Sequence, residues 1–179
     1  MQIETERLLL REMTEDDFPA LAEILTDSRV MYAWEHAFSP SEVREWMDRQ
    51  LQRYVIYGHR FGLWAMVLQK TGKMIGQCGI TMQPYKETKV PEIGYLLGKN
   101  YWHRGYATEG ALACRDYAFE TLGLHEVFSI IRDTNIASQN VARRCGMTLR
   151  DRIVKRYYHM DMPHLVFSVR KEEGFYNGK

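Results

Sequence analysis

The stretch from Glu92 to Ile131 predicts a strand, a helix and a second strand in succession. Residues 92–97 and 127–131 are short apolar runs typical of strands, and residues 108–121 carry apolar side chains at helical spacing. A helical connection between two strands of one sheet forms a right-handed crossover, which makes those strands parallel. The sheet therefore contains a parallel pair, with a loop and a helix N-terminus after its first strand.

The patterns on either side of this crossover predict strands that can pair antiparallel. Residues 39–42 (SPSE) form a capping-box start for one helix, and residues 14–17 have similar spacing ahead of another. A loose polar loop containing Pro84 and Pro91 is expected after a central hairpin. The order of predicted strands and helices along the chain indicates one mixed α/β domain over residues 1–179. The predicted strands are 8–12, 61–68, 74–82, 92–97, 127–131, 149–154 and 165–169, and the predicted helices are 18–26, 40–57, 108–121 and 138–145.

The composition is that of an ordinary globular domain. The 179 residues are 45% hydrophobic and 26% charged, and the net charge is only +1. A net charge this close to zero provides no long-range electrostatic attraction for nucleic acid or an anionic membrane. Cys78, Cys114 and Cys145 are too few and too widely spaced for a disulfide framework or a zinc ribbon. Because the first residues are acidic and no apolar run is long enough to cross a bilayer, we expect a cytoplasmic protein without membrane or nucleic-acid partners.

Residues 102–110 (WHRGYATEG) point to chemistry, because they connect a predicted strand to a predicted helix. Gly105 and Ala107 are small enough for the backbone to approach a ligand closely, and the start of the following helix presents unpaired N–H groups. This combination is typical of an anion site that suits a pyrophosphate. The spacing matches neither the GxxxxGK[ST] loop nor the dinucleotide-binding GxGxxG motif.

Four motifs in order along the chain resemble the GNAT N-acetyltransferases, and among them the RimJ/RimL-like branch. They are TERLLLR at 5–11, EIGY at 92–95, WHRGYATE at 102–109 and NIASQNVARRCGM at 135–147. The resemblance implies a single GNAT domain, with a mostly antiparallel sheet and a splayed parallel pair at its centre. It also implies acetyl-CoA as co-substrate, with the pantetheine arm between the splayed strands, and no metal ion.

The resemblance also assigns cofactor contacts to individual residues. Main-chain groups of Tyr95, Leu96 and Leu97 are expected to hold the acetyl carbonyl and the pantetheine amides. Asn135 is expected to reach the pantetheine from the other side, with Ser138 near the sulfur. The pyrophosphate is expected to lie on the N–H groups of His103, Arg104, Gly105, Tyr106, Ala107 and Thr108.

The reaction itself, direct attack of an amine on a thioester in a ternary complex, needs little from side chains. The amine must lose a proton, the oxyanion needs an N–H donor such as that of Leu97, and the thiolate benefits from an acid. Glu92 is the first candidate base, unless it is a solvated strand-end charge. Many relatives place an acidic tyrosine where this chain has Ala142, so Ser138 is the candidate acid, unless it is a helix cap. The alternative bases are Glu35, His36 and His159.

Several alternatives remain open at this stage. The acceptor is a small amine or a protein N-terminus, and the rival function is a non-catalytic acyl-CoA-binding module on the same scaffold. The basic stretch 143–156 faces solvent, meets the 3′-phosphate of CoA through Arg143 or Arg144, or docks on RNA. The cysteines are expected to lie in the core. A metal site is not expected, because the cluster formed by His159, Asp161 and His164 is too loose. The protein is expected to be a monomer or a homodimer. Candidate residues lining the acceptor cleft are Trp34, Glu35, His36, Phe38, Trp46 and Tyr157.

Overall fold

The computed structural model describes residues 1–157 and 160–174. Its strands are β1 (Gln2–Glu4), β2 (Leu8–Arg11), β3 (Gly62–Leu68), β4 (Met74–Tyr85), β5 (Thr88–Leu97), β6 (Glu126–Arg132), β7 (Thr148–Tyr157) and β8 (Met160–Arg170). Its helices are α1 (Phe18–Leu25), α2 (Pro40–Ile56), α3 (Tyr106–Glu120), α4 (Ile136–Arg144) and α5 (Lys171–Gly174). These strands form one sheet in the order β1-β2-β3-β4-β5-β6-β8-β7.

Neighbouring strands pair antiparallel except β5 and β6, which confirms the parallel pair predicted from the crossover. The parallel pairing is recorded at a single position, Glu92 opposite Phe128. Beyond that position the two strands separate towards their carboxyl ends. The fold is therefore the expected mixed sheet with a splayed central pair.

Helices cover both faces of the sheet. The Sγ atoms of Cys78 in β4 and Cys114 in α3 lie 3.6 Å apart, whereas Trp46 in α2 donates from Nε1 to Oε1 of Gln77 at 3.1 Å. Because successive strand residues point to opposite faces, α3 and α2 lie on opposite sides. All three cysteines are buried, as predicted, and burial raises the pKa of the Cys145 thiol to about 12.

Strands β4 and β5 form a hairpin where the sequence predicted strands 74–82 and 92–97 joined by a loose loop, and the loop expected around Pro84 and Pro91 does not exist. Both prolines are paired within the strands, Pro84 opposite Lys89 and Pro91 opposite Met82. Each occupies a position whose nitrogen points away from the strand opposite, so neither removes a hydrogen bond from the hairpin. The prolines wrongly predicted a loop, because a proline costs a strand a hydrogen bond only where its nitrogen points towards the paired strand.

Helices α3 and α4 begin earlier than predicted, at Tyr106 and at Ile136. Asn135 is the N-cap of α4, and its side chain accepts a hydrogen bond from the Ser138 N–H. Ser138 is therefore not the cap of that helix, which corrects the alternative left open above. Strands β7 and β8 extend beyond the predicted segments, and β1 was not predicted. None of the described helices combines the length and the apolar character needed to cross a bilayer.

Candidate active site

The gap between β5 and β6 is lined by main-chain groups of β5. The Gly98 N–H donates to the Ile75 carbonyl at 2.9 Å, which fixes the alternation of the β4–β5 ladder. Leu96 and every second residue before it direct their N–H and C=O groups towards β4. The groups of Tyr95 and Leu97 therefore point into the gap. Of the predicted cofactor contacts on β5, the structure brings the main chains of these two to the opening, while the main chain of Leu96 is paired with β4.

Two of the groups that face the gap already have side-chain partners. Ser129 Oγ donates to the Ile93 carbonyl at 2.9 Å, and Trp102 Nε1 donates to the Leu97 carbonyl at 2.9 Å. These contacts independently show that the main chain of β5 is oriented as the ladder requires. Because Trp102 occupies the Leu97 carbonyl, the N–H is the main-chain group of Leu97 that is left to face the gap.

Glu92 lies inside β5 rather than at its start, because the strand begins at Thr88. Its Oε1 accepts a hydrogen bond from the Ile130 N–H at 2.9 Å, so the carboxylate crosses from β5 to β6 where the strands separate. Burial raises the pKa of Glu92, against the opposing effects of the Lys155 charge and of the Ile130 N–H. Glu92 is thus a half-buried carboxylate that bridges β5 and β6, and not a solvated strand end.

The turn before α3 has the form expected of an anion site. His103 and Gly105 have positive φ angles of 59° and 83°, so the chain turns through left-handed conformations. The first bond of α3 runs from the Glu109 N–H to the Gly105 carbonyl at 3.0 Å. The N–H groups of the preceding residues 106–108 have no partner inside the helix, and they sit at the positive end of its dipole. Unpaired N–H groups at a helix N-terminus are groups that bind phosphate in proteins generally.

Glu109 joins the first motif of the chain to the third. Its carboxylate accepts hydrogen bonds from Thr5 Oγ1 at 2.6 Å, from the Arg7 N–H at 2.9 Å and from Arg7 Nε at 2.7 Å. Arg7 Nη1 donates to the Arg104 carbonyl at 3.0 Å. Although burial opposes ionisation, these donors hold the pKa of Glu109 below its usual value. The TERL and GYATE motifs thus form one unit that holds the turn against β2.

Tyr32 is a site residue that sequence reasoning missed. Its hydroxyl donates to Asn135 Oδ1 at 2.8 Å, and its ring makes an edge contact with Trp102, with centroids 6.4 Å apart. Asn135 Oδ1 also accepts from the Ser138 N–H at 3.1 Å. Tyr32 therefore spans the mouth of the gap from the turn to the start of α4. Tyr32 lies between two predicted helices and belongs to no recognisable motif, so the sequence did not indicate its role.

With the geometry established, comparison with known proteins identifies the family. A model of the acetyltransferase (GNAT) domain matches residues 7–148. The chain belongs to the GNAT family. An uncharacterized N-acetyltransferase of Bacillus subtilis (strain 168), YnaD, is 30% identical over 148 residues, 82% of each chain. The acetyltransferase structure from Agrobacterium tumefaciens str. C58 has a TM-score of 0.79 at 33% identity, covering 96% of this chain and 95% of that one.

A third comparison concerns the branch. The structure of RimL, the ribosomal L7/L12 alpha-N-protein acetyltransferase in complex with coenzyme A, has a TM-score of 0.77 and covers 95% of this chain and 98% of that one. At 19% identity this likeness shows the shared fold alone. The GNAT membership and the N-acetyltransferase relatives make this protein an N-acetyltransferase, which decides between the enzyme and the rival non-catalytic module.

In this GNAT domain, an aromatic group lies beside the carboxyl end of β6. The rings of Trp34, Phe38 and Trp46 contact one another edge to face, with centroids 5.4–5.7 Å apart. Arg132 Nη1 at the end of β6 donates to the Trp34 carbonyl at 3.4 Å. His36 is paired with Glu42 at 2.8 Å. Of the other predicted acceptor or base candidates, Glu35 is half-buried, while the Tyr157 side chain and His159 lie outside the described part of the chain.

Three of the six basic residues in the stretch 143–156 of the acetyltransferase have carboxylate partners. Arg150, Arg152 and Arg156 pair with Glu173, Asp133 and Asp161 at 2.7, 3.0 and 3.8 Å. This pairing favours the solvated face over docking on RNA. The Arg143 guanidinium lies 5.3 Å from the centre of the Phe167 ring. It follows Asn135 by eight residues, which is about 12 Å along the helix.

Proposed function

We propose that this enzyme transfers an acetyl group from acetyl-CoA to a primary amine by direct attack in a ternary complex. The observation that carries the proposal is the orientation of β5, whose Tyr95 and Leu97 main-chain groups face a gap with no strand in it. A pantetheine arm carries two amide groups, so it can pair with such an edge as an additional strand would. Its thioester supplies the activated acetyl group.

The two sides of the gap offer complementary groups. Because Asn135 Oδ1 accepts from both Tyr32 and the Ser138 N–H, the groups that its carboxamide can offer a ligand are the N–H donors of Nδ2. A pantetheine carbonyl is the matching acceptor. The start of α3 and its preceding turn, residues 103–108, would hold the pyrophosphate through main-chain N–H groups. We also propose Arg143, a guanidinium in the last turn of α4, as the contact for the 3′-phosphate of CoA.

Glu92 is the proposed base and Ser138 the proposed acid. Desolvation raises the pKa of Glu92, which brings this carboxylate closer to the value that suits a general base near neutral pH. Ser138 is half-buried in the first turn of α4, where its carbonyl accepts a hydrogen bond from the Tyr95 hydroxyl at 2.7 Å. The Leu97 N–H is the proposed oxyanion donor, since its carbonyl is occupied by Trp102.

The acceptor is expected to enter on the side of Trp34, Phe38 and Trp46. Partly exposed aromatic rings next to the half-buried Glu35 suit a cationic amine, through cation–π and charge interactions. The RimJ/RimL-like motifs instead favour a protein N-terminus. We propose a small amine as the acceptor, because aromatic rings and a nearby carboxylate are the groups that suit a cationic amine. We further propose that the enzyme acts in the cytoplasm as a monomer or a homodimer.

The proposal is tested by mixing the enzyme with acetyl-CoA and a panel of small amines and N-terminal peptides, and measuring release of free thiol. Release with at least one primary amine is expected. Glu92→Gln should reduce kcat by about 100-fold or more, and Ser138→Ala by about 10-fold, with little change in the Kd of acetyl-CoA. Glu126→Gln is the matched control, since Glu126 lies on β6 but bonds to Ser168 rather than facing the gap.

Each outcome has a distinct meaning. Thiol release that is equal in Glu92→Gln and in the unmodified enzyme would remove Glu92 as the base while leaving the cofactor site intact. Binding of acetyl-CoA without thiol release from any amine would contradict the proposed reaction. No binding of acetyl-CoA at near-millimolar concentration would contradict the cofactor assignment itself.

A further inference from the structure

The separation of β5 from β6 occurs where two side chains replace one main-chain hydrogen bond. The ladder pairs Glu92 with Phe128. Continuing a parallel ladder by one step would join the Ile130 N–H to the Ile93 carbonyl. Instead the Ile130 N–H donates to Glu92 Oε1 at 2.9 Å, and the Ile93 carbonyl accepts from Ser129 Oγ at 2.9 Å.

The orientation of β6 supports this interpretation. The Lys171 N–H donates to the His125 carbonyl at 2.9 Å, and the Asp133 N–H donates to the Pro163 carbonyl at 3.0 Å. In the antiparallel pairing of β6 with β8, these bonds turn the main chain of Ile130 away from β8. The Ile130 N–H therefore faces β5 and would meet the Ile93 carbonyl if the strands stayed together.

We propose that Ser129, together with Glu92, is a positioning residue that ends the β5–β6 ladder and so holds the cofactor gap open. Glu92 and Ser129 are called the wedge pair below. Ser129 is almost fully buried, with 1% of its surface exposed, so its hydroxyl is committed to this contact. The inference rests on the proposed binding of pantetheine in the gap, and it gives Ser129 a function that the reaction itself does not require.

The wedge pair has a consequence that an ordinary structural hydrogen bond lacks. When a buried hydroxyl is removed, its partner usually remains unpaired and the protein loses stability. If Ser129 is truncated, the Ile93 carbonyl can instead take the Ile130 N–H from Glu92, so the ladder gains the bond that the wedge pair prevents while the Glu92 carboxylate is released to water in the gap. The next bond in line would then use the Tyr95 N–H, one of the groups available to the pantetheine. Stability should be retained while cofactor binding is lost.

The test compares Ser129→Ala with Ser168→Ala by calorimetric titration of acetyl-CoA and by thermal unfolding. Ser168 is a matched control, because it is fully buried on β8 and its hydroxyl bonds to Glu126 and Arg150 outside the gap. We expect Ser129→Ala to weaken acetyl-CoA binding roughly tenfold with a Tm change below about 2 °C. Ser168→Ala should lower Tm by about 3–10 °C and leave the Kd unchanged.

A second measurement observes the new bond directly. In protein labelled with ¹⁵N and ¹³C, a scalar coupling across the hydrogen bond between the Ile130 amide nitrogen and the Ile93 carbonyl carbon should be absent in the unmodified enzyme. It should appear in Ser129→Ala, or in the double variant Glu92→Ala/Ser129→Ala. Failure of the coupling to appear in both variants, or a Ser129→Ala variant that loses stability but keeps its acetyl-CoA affinity, would overturn the proposal. If the unmodified enzyme binds no acetyl-CoA, the proposed function fails, and the coupling still tests the wedge pair.

Discussion

Replacing Glu109 by glutamine is expected to destabilise the enzyme in a strongly pH-dependent way. The carboxylate receives hydrogen bonds from Thr5 Oγ1, the Arg7 N–H and the Arg7 guanidinium, whose Nη2 lies 2.6 Å from Oε2. Glutamine keeps one acceptor oxygen, but it turns an NH₂ group towards the donors and removes the charge. The contact that joins the first turn of α3 to β2 is thereby broken.

The magnitude follows from the burial of the two partners. A hydrogen bond to a charged group contributes about 1.5–3 kcal/mol. The Arg7 side chain is 41% exposed and that of Glu109 is 17% exposed, so solvent screens part of the interaction. We therefore expect the free energy of unfolding to fall by about 2–3 kcal/mol in total, which is less than the sum of the individual hydrogen bonds. For a domain of this size, that loss lowers Tm by roughly 5–10 °C.

The lowered pKa of Glu109 decides how the stability difference changes with pH. The pKa of Glu109 is lowered in the folded protein, so its contribution is fully present above the unfolded-state value of about 4.3 and is lost as the pH falls through the folded-state value. The difference in Tm between the unmodified enzyme and Glu109→Gln should be largest near pH 7 and should shrink below about pH 4. Thermal unfolding followed by circular dichroism across this range measures it.

The matched control is Glu45→Gln, which removes an exposed i,i+4 pair with Arg49 at 3.8 Å. Its Tm should stay within about 1 °C of the unmodified value at every pH. The reasoning would be refuted if Glu109→Gln had the same Tm as the Glu45→Gln control, or if the difference in Tm from the unmodified enzyme were as large at about pH 3 as at pH 7.

Three further predictions concern the site. Because burial raises the pKa of Glu92, kcat/KM should fall on acidification at a higher pH than for an ordinary carboxylate, and Glu92→Gln should abolish that limb of the pH–rate profile. Tyr32→Phe removes the hydroxyl that orients Asn135, so calorimetry should show acetyl-CoA binding weakened about 2–10-fold, and an unchanged Kd would contradict this role. Gly105→Ala places a Cβ at φ 83° and 3.3 Å from Arg7 Nη2, so thermal unfolding should show a loss of about 1–2 kcal/mol, and an unchanged Tm would contradict it.

The features that the sequence determined by itself are those fixed by neighbouring residues. The capping box at Ser39 and Glu42 is present, because a serine and a glutamate three positions apart can satisfy each other's main chain without the rest of the protein. The parallel β5–β6 pair was likewise predicted, since a helix between two strands of one sheet forms a crossover.

The tertiary structure decided what each charged or polar group contacts. Glu109 could have been only a helix-start residue until the fold brought Thr5 and Arg7 against it from more than 100 positions away. Glu92 was a candidate base on its sequence position, yet its contact with the Ile130 N–H follows only from the meeting of two strands. Periodicity records which face of an element is buried, whereas the partner of a carboxylate or hydroxyl depends on the packing of distant segments. The residues proposed for catalysis and for the gap are therefore defined by the fold.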